Sequence, residues 1–265
     1  MNILIGADPE LFVRDKGSII SGFGLIKGDK QDPFPVKNGA VQVDGMALEF
    51  NINPAKDEAE FTHNINSVMD QLKAMVPQFE VVAQPTAHFT EEYMKLQPEG
   101  ALELGCDPDF NAWNCGRVND KPDQNLPMRT GAGHIHIGWC DSADIGDPSH
   151  LADCMEVIKQ MDSYLGCASL LFDKDEDRRR MYGQAGAFRP KSYGVEYRVL
   201  SNYWLSSPEL ISFVYRTAIK AMKDLVEGKV YHKESDYRIA EVINTSDELI
   251  AGRVVDALGL EVPNV

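Results

Sequence analysis

The sequence predicts an α+β fold in which helices cover one face of a largely antiparallel sheet. Three observations carry this expectation. Several long segments repeat apolar residues at helical spacing. Several short segments alternate as strands do. Helices follow some strands but not in strict alternation, so a layered α+β arrangement fits better than a regular βαβ series.

The helices are the most legible elements. Asn53-Pro54 reads as an N-cap with proline in the first turn, ahead of Ile65, Val68, Met69, Leu72, Met75 and Val76. Asp147-Pro148-Ser149 opens a second helix, with Leu151, Cys154, Met155, Ile158, Met161 and Leu165 on one face. Ser207-Pro208 opens a third, carrying Leu210, Ile211, Val214, Ala218, Met222 and Leu225, and Gly228 stops it. Ser246 is expected to cap a fourth that runs to Gly259, and a short helix is expected around 237–243. Strands are expected at residues 2–5 with 11–13, and at 41–51, 80–89, 133–139 and 193–200. Residues 1–265 are read as a single domain with a helical C-terminal part over 206–265. The polar stretch 99–131 is too long for a plain connection and is a candidate active-site flap.

Composition narrows the function. The chain has 265 residues, with 26 Lys+Arg against 41 Asp+Glu and a net charge of −15. So acidic a chain has no general electrostatic reason to bind a nucleic-acid backbone or an anionic membrane, although divalent cations can recruit phosphate locally. No signal peptide or membrane-spanning stretch is evident, so the expected location is a cytoplasm. Five cysteines, Cys106, Cys115, Cys140, Cys154 and Cys167, form no CxxC pair and read as reduced packing residues. There is no Walker loop and no GxSxG elbow, and GFGLIKG lacks GxGxxG spacing.

What stands out is which residues interrupt the strands. Asp8 and Glu10 in GADPELFV share one face of an extended segment. Glu49 sits among apolar neighbours in DGMALEFNINP. Asp44 is five residues earlier, and in a continuous strand would face the other way. His134 and His136 share a face in GAGHIHIG, as do Glu196 and Arg198 in GVEYRVL. Each has a bland reading: a turn at Asp8-Pro9, a solvated Glu49, a surface histidine pair, a cross-strand ion pair at Glu196 and Arg198. In the same spirit, at least two of Arg178, Arg179 and Arg180 read as a solvated charge run. Together, however, the four strands describe a trough of carboxylates with histidine. Such a trough calls for cations, and its oxygen-rich donor set suits Mg²⁺ or Mn²⁺.

These motifs, in this order, resemble the glutamine synthetase and glutamate–cysteine ligase superfamily. More closely they resemble the phage carboxylate–amine ligases of type 2, a group of amidoligases. The run YGQAGAFRPKSYGVEYRVLSNYW fits that group too, and the resemblance spans about residues 3–205. It implies a glutamine synthetase-like catalytic domain whose sheet forms a metal and nucleotide trough. It implies ATP-dependent amide or peptide-bond formation through an acyl phosphate. The cofactors would be ATP and Mg²⁺ or Mn²⁺, and the partner a small molecule or peptide bearing a carboxylate and an amine. Carried over by position, Asp8 and Glu49, with Asp44, would hold one ion. Glu10, His134 and Glu196 would hold the ion that bridges the nucleotide phosphates. His136 would touch the nucleotide, and Arg189 and Arg198 the transferred phosphoryl group or the substrate carboxylate. Position 8 is Asp where the superfamily often has Glu, a shorter reach. A metal-dependent hydrolase on the same carboxylates, and a non-catalytic phage protein that keeps the fold, remain as alternatives, and oligomeric state is open.

Overall fold

A computed structural model describes residues 2–102, 109–120 and 126–264. Two antiparallel sheets face a common cleft. The first is built on β1 (Leu4–Ala7), and the second on β2 (Glu10–Asp15), a hairpin of β3 (Gly39–Asp44) and β4 (Ala47–Ile52). The first sheet continues through β5 (Ile135–Gly138), β6 (Ala187–Lys191) and β7 (Gly194–Tyr197). Its order is β1-β5-β7-β6, followed by two short strands, Phe110–Asn111 and Arg117–Val118. In the second sheet β4 lies between β2 and β3, with Ser18–Ile20 beyond β2 and Phe34–Val36 beyond β3.

The chain passes from one sheet to the other at Asp8-Pro9. Asp8 N donates to His134 O and Glu10 N to Ala132 O, while Phe50 N donates to Pro9 O. Proline gives up only an N–H that this crossing does not need.

The helices cover the faces turned away from the cleft. α1 (Glu58–Met75) packs on β4, and its Phe61, Ile65, Val68 and Leu72 share a core with Leu48 and Phe50. α2 (Pro148–Met161) packs on β7, with Cys154, Ile158 and Met161 buried together with Ile135, Ile137 and Val195. Each large apolar side chain so buried contributes about 1.5–3 kcal/mol. α2 runs on through a wider turn, Asp162–Gly166, into the helix Cys167–Phe172. α3 (Pro208–Val226) and α4 (Glu248–Ala257) lie in the C-terminal part, with Ile239–Asn244 between them. Among the described residues no helix is long and apolar enough to cross a membrane.

Several expectations change. The first helix begins at Glu58, not at Pro54: the Asp57 side chain accepts from Glu60 N, and Ala55 is instead bridged to Ile5. The last helix is capped by Asp247, which accepts from Ile250 N. Ser246 cannot serve because its φ of +54° is left-handed, whereas a capping residue is extended. The expected strand 41–51 is a hairpin that turns at Gly45-Met46, where Gly45 has φ +54°. The expected strand 80–89 is two strands, Glu80–Val82 on the second sheet and Thr86–His88 paired with Met128–Thr130. The candidate flap 99–131 is partly built into the fold, since Phe110–Asn111 pairs with β6. Residues 103–108, with Cys106, and 121–125 lie outside the described residues.

Candidate active site

The cleft between the sheets is a cavity of about 850 Å³ that all nine singled-out residues line: Asp8, Glu10, Asp44, Glu49, His134, His136, Arg189, Glu196 and Arg198. Strand register brings them together. On the second sheet Glu10 lies directly opposite Glu49, and Glu49 directly opposite Gln42. Asp44 is two residues on from Gln42 in the same strand and so shares its face. The hairpin turn therefore corrects the expectation for Asp44: it lies on the same side as Glu49, not the opposite one.

On the first sheet one row runs Gly6, His136, Glu196, Arg189 across four strands. His134 precedes β5, and Arg198 follows β7, held by its N–H to Ala187 O. Asp8 stands where the two walls meet. Its Oδ1 lies 3.0 Å from His136 Nε2 and 3.7 Å from His134 Nδ1.

The two walls differ in electrostatics. Glu10 accepts from Ala132 N at 2.9 Å, yet burial, reinforced by Asp44, raises its pKa to about 7. Burial, then the charges of Asp8, Asp44 and Glu10, push Glu49 well above the ordinary carboxylate range despite a 2.7 Å hydrogen bond from Gln42. Burial also raises Asp44. Lys30, Arg189 and Arg198 act against the rise at Asp44, and Arg178 and Arg198 at Glu10, but burial outweighs them.

Glu196 is the reverse. It is 1% exposed, and burial alone would raise its pKa. The Arg198 guanidinium, with His136 and Lys191, holds it well below the usual range instead. Arg198 Nη1 donates to Glu196 Oε1, Lys191 Nζ is 2.7 Å from Oε2, and Arg189 Nη1 is 3.7 Å from Oε1. Asp109 closes the group: its Oδ1 lies 2.7 Å from Arg198 Nε and 3.4 Å from Arg189 Nη2. Burial disfavours the Arg198 charge, but Glu196 and Asp109 outweigh it and raise its pKa. Burial, with the Arg198 charge, keeps His134 neutral, so its Nδ1 accepts from Arg198 Nη1 at 3.1 Å. Burial also works against protonation of His136, but Asp8 prevails and raises its pKa, and Tyr193 OH contacts its Nδ1.

Four residues escaped the sequence reading. Lys191 and Tyr193 flank a turn, Asp109 comes from the supposed flap, and Arg178 sits in the supposed solvated run. Arg178 is 1% exposed and donates to the Val199 and Arg198 carbonyls, and Arg179 is also buried. Only Arg180 faces solvent, paired with Glu176 and Asp177. Two of the three are therefore fixed in the protein, because the acids that would solvate the run pair with Arg180 alone. Lys191 was hidden by Pro190, which makes β6 read as a non-strand.

Donor atoms of Asp8, His136 and Glu196 all lie within 4.8 Å of one another, a spacing that admits a metal ion. This set pairs His136, rather than His134, with Glu196. Glu10, Glu49 and Asp44 line the same cavity, but their donor atoms do not converge to that spacing.

The chain matches a family model described as phage phiEco32-like COOH.NH2 ligase-type 2 over residues 121–238. That interval contains His134, His136, Arg178, Arg189, Lys191, Glu196 and Arg198, every charged residue of the first-sheet wall except Asp8 and Asp109. Two solved structures are similar to it at 10% identity: a GmaS/ADP complex in its first conformation (TM-score 0.48) and a novel glutamine synthase homolog (TM-score 0.45). The alignments cover 97% of this chain but 64% and 63% of those chains, so this chain spans just under two-thirds of their length. No curated protein matches it.

Proposed function

We propose that this chain is an ATP-dependent carboxylate–amine ligase that works in the cleft between the two sheets. The observation that carries the reading is the polarised cavity. An acidic wall able to take divalent cations faces a wall of fixed arginines, and the two meet at Asp8, His136 and Glu196. The match to a carboxylate–amine ligase family over the arginine wall supports it.

The residues present fit divalent ions. Three carboxylates with raised pKa gain from a cation that relieves both burial and mutual repulsion. Oxygen donors with one imidazole suit Mg²⁺ or Mn²⁺. Asp8, His136 and Glu196 would hold one ion, with Tyr193 orienting the imidazole as outer partners do. Glu10, Glu49 and Asp44 would hold a second only by drawing closer together than they lie in the structure. Bound there, the ions would neutralise the nucleotide phosphates and the charge that develops on the transferred group.

The nucleobase has a place at the outer end of the first sheet. Gly138 and Gly6 present bare backbone to the cavity, where an added Cβ would meet no atom closer than 3.6 Å and 3.5 Å. Leu4, Pro54, Trp139 and Tyr193 border that floor. The γ-phosphoryl group of ATP would then pass to a substrate carboxylate, giving ADP and an acyl phosphate. The amine attacks the acyl carbon, phosphate leaves, and an amide forms with loss of a proton. Arg189 and Arg198 bind and orient the anionic groups. Asp109 and Glu196 fix both guanidiniums before the reaction, so little reorganisation is needed as charge shifts. The partner is a small molecule or peptide that carries the carboxylate or the amine.

The test is ADP release with Mg²⁺ and ATP across a panel of amino acids and short peptides, with product identified by mass spectrometry. The expected result is an amide formed only when ATP is present. Cleavage of panel peptides without ATP would overturn the reading in favour of a hydrolase.

A further inference from the structure

Glu196 is asked to serve two partners. It is one of the three donors at the Asp8, His136, Glu196 site, and it already carries Arg198 on Oε1 and Lys191 on Oε2. The two cations are held differently. The Arg198 side chain is 9% exposed and tied also to Asp109 and His134. The Lys191 side chain is 33% exposed and projects from the end of β6, opposite Gly194. Gly194 has no side chain and admits none: a Cβ there would meet Ile137 O at 2.1 Å, with φ at +149°. The lysine stem therefore crosses bare backbone to reach Glu196, with one side open to the cavity.

A divalent ion at that donor set and an ammonium 2.7 Å from the same carboxylate repel each other in a poorly solvated space. One must yield, and the partly exposed lysine on a flexible stem is the one able to move. We propose that Lys191 stands in for the metal ion in the ion-free protein and that ion binding displaces its ammonium from Glu196 into the cavity. Lys191 thereby keeps a buried carboxylate paired when no ion is bound, and sets a threshold for ion entry. The released ammonium becomes available to an anion in the same cavity. The inference rests on the reading that an ion sits at Asp8, His136 and Glu196.

The test is titration of the full chain with Mn²⁺ alone, without nucleotide, by calorimetry and electron paramagnetic resonance. Lys191→Met and Lys191→Gln remove the competing charge and are expected to bind Mn²⁺ at least about tenfold more tightly than wild type, a difference of about 1.4 kcal/mol. Raising the ionic strength should leave that gain in place, because displacement at contact is screened far less than a through-space field. Unchanged or weaker binding overturns the inference, as does a gain that vanishes with salt. Asp8→Asn separates the layers. If it weakens Mn²⁺ binding while the Lys191 variants gain nothing, only the stand-in role falls. If Asp8→Asn binds as wild type does, the ion site itself falls. A second readout needs no variant: acylation of Lys191 by an amine-reactive ester, followed by peptide mass spectrometry, should rise several-fold when Mn²⁺ is added. No rise, or protection, contradicts the displacement.

Discussion

Glu196 and Glu49 are both acids on central strands of the cleft, yet their charge states diverge. Glu196 is held well below the carboxylate range, while Glu49 is pushed well above it. Burial alone would raise both. What differs is the company each keeps: Arg198, Arg189 and Lys191 around Glu196, and Asp8, Asp44 and Glu10 around Glu49. The first wall is complete in itself. The second carries a standing repulsion that a cation would relieve.

The largest expected effect breaks the complete wall. Glu196→Ala leaves Lys191 without its counter-charge and Arg198 with Asp109 alone, and should destabilise the ion-free protein by about 3 kcal/mol in denaturant titration. Removing a carboxylate from the crowded wall should cost little or stabilise. Equal losses for Glu196→Ala and Glu10→Gln would erase the distinction.

Arg198→Lys keeps the charge but loses the fork that spans Asp109, Glu196 and His134. ATP should still bind, while turnover in the ADP-release assay falls about a hundredfold, the scale of one oriented donor. Near-normal turnover would return Arg198 to a purely structural pairing.

A smaller effect sharpens the contrast through pH. Glu10 titrates at about 7 when folded against 4.5 as an ordinary glutamate. Between those values the folded state holds a proton that the unfolded state has lost. This contribution to stability is present below about pH 4.5 and disappears as pH rises to about 7. Other groups titrate in the same window, so the difference between wild type and Glu10→Gln isolates it. Because Glu10 faces the cavity, the effect should be on the order of 1 kcal/mol, a few degrees in melting temperature. The wild type should fall more steeply with pH, and parallel slopes would contradict the raised pKa. The last prediction is an absence: elemental analysis of the purified protein should find no stoichiometric zinc, since the acidic wall offers oxygens and no thiolate. One tightly held Zn²⁺ per chain would favour the hydrolase alternative.

The legible part of this site lay within single strands. Asp8 with Glu10, His134 with His136, and Glu196 with Arg198 each share a segment, so period-two spacing displayed their common face. The rest depends on pairing between strands. Asp44 joins Glu49 only because the chain turns at Gly45-Met46, and Asp44-Gly45 was read as part of one run. Lys191 reaches Glu196 only because Gly194 lies opposite it. Asp109 meets the arginines because Phe110–Asn111 pairs with β6, a contact 74 residues or more along the chain that no local pattern announces. The helices show the same limit at their ends. The apolar repeats located α1, α2 and α3, whereas the starts of α1 and α4 were decided by which side chain, Asp57 or Asp247, met a free backbone N–H.

The central claim is that the acidic wall repels itself until cations arrive. Thermal melting of wild type and Glu10→Gln, each with and without millimolar Mg²⁺ and ATP, tests it most directly, with the exposed Glu92→Gln as control. Wild type should gain stability with ligand, by roughly 2.7 kcal/mol if the ligand is at about 100 times its Kd. Glu10→Gln should melt at or above wild type without ligand and show little of that gain, and Glu92→Gln should follow wild type in both. A Glu10→Gln protein that melts many degrees lower without ligand, yet keeps the full ligand-induced rise, would make Glu10 a structural hydrogen-bonding residue and contradict the account.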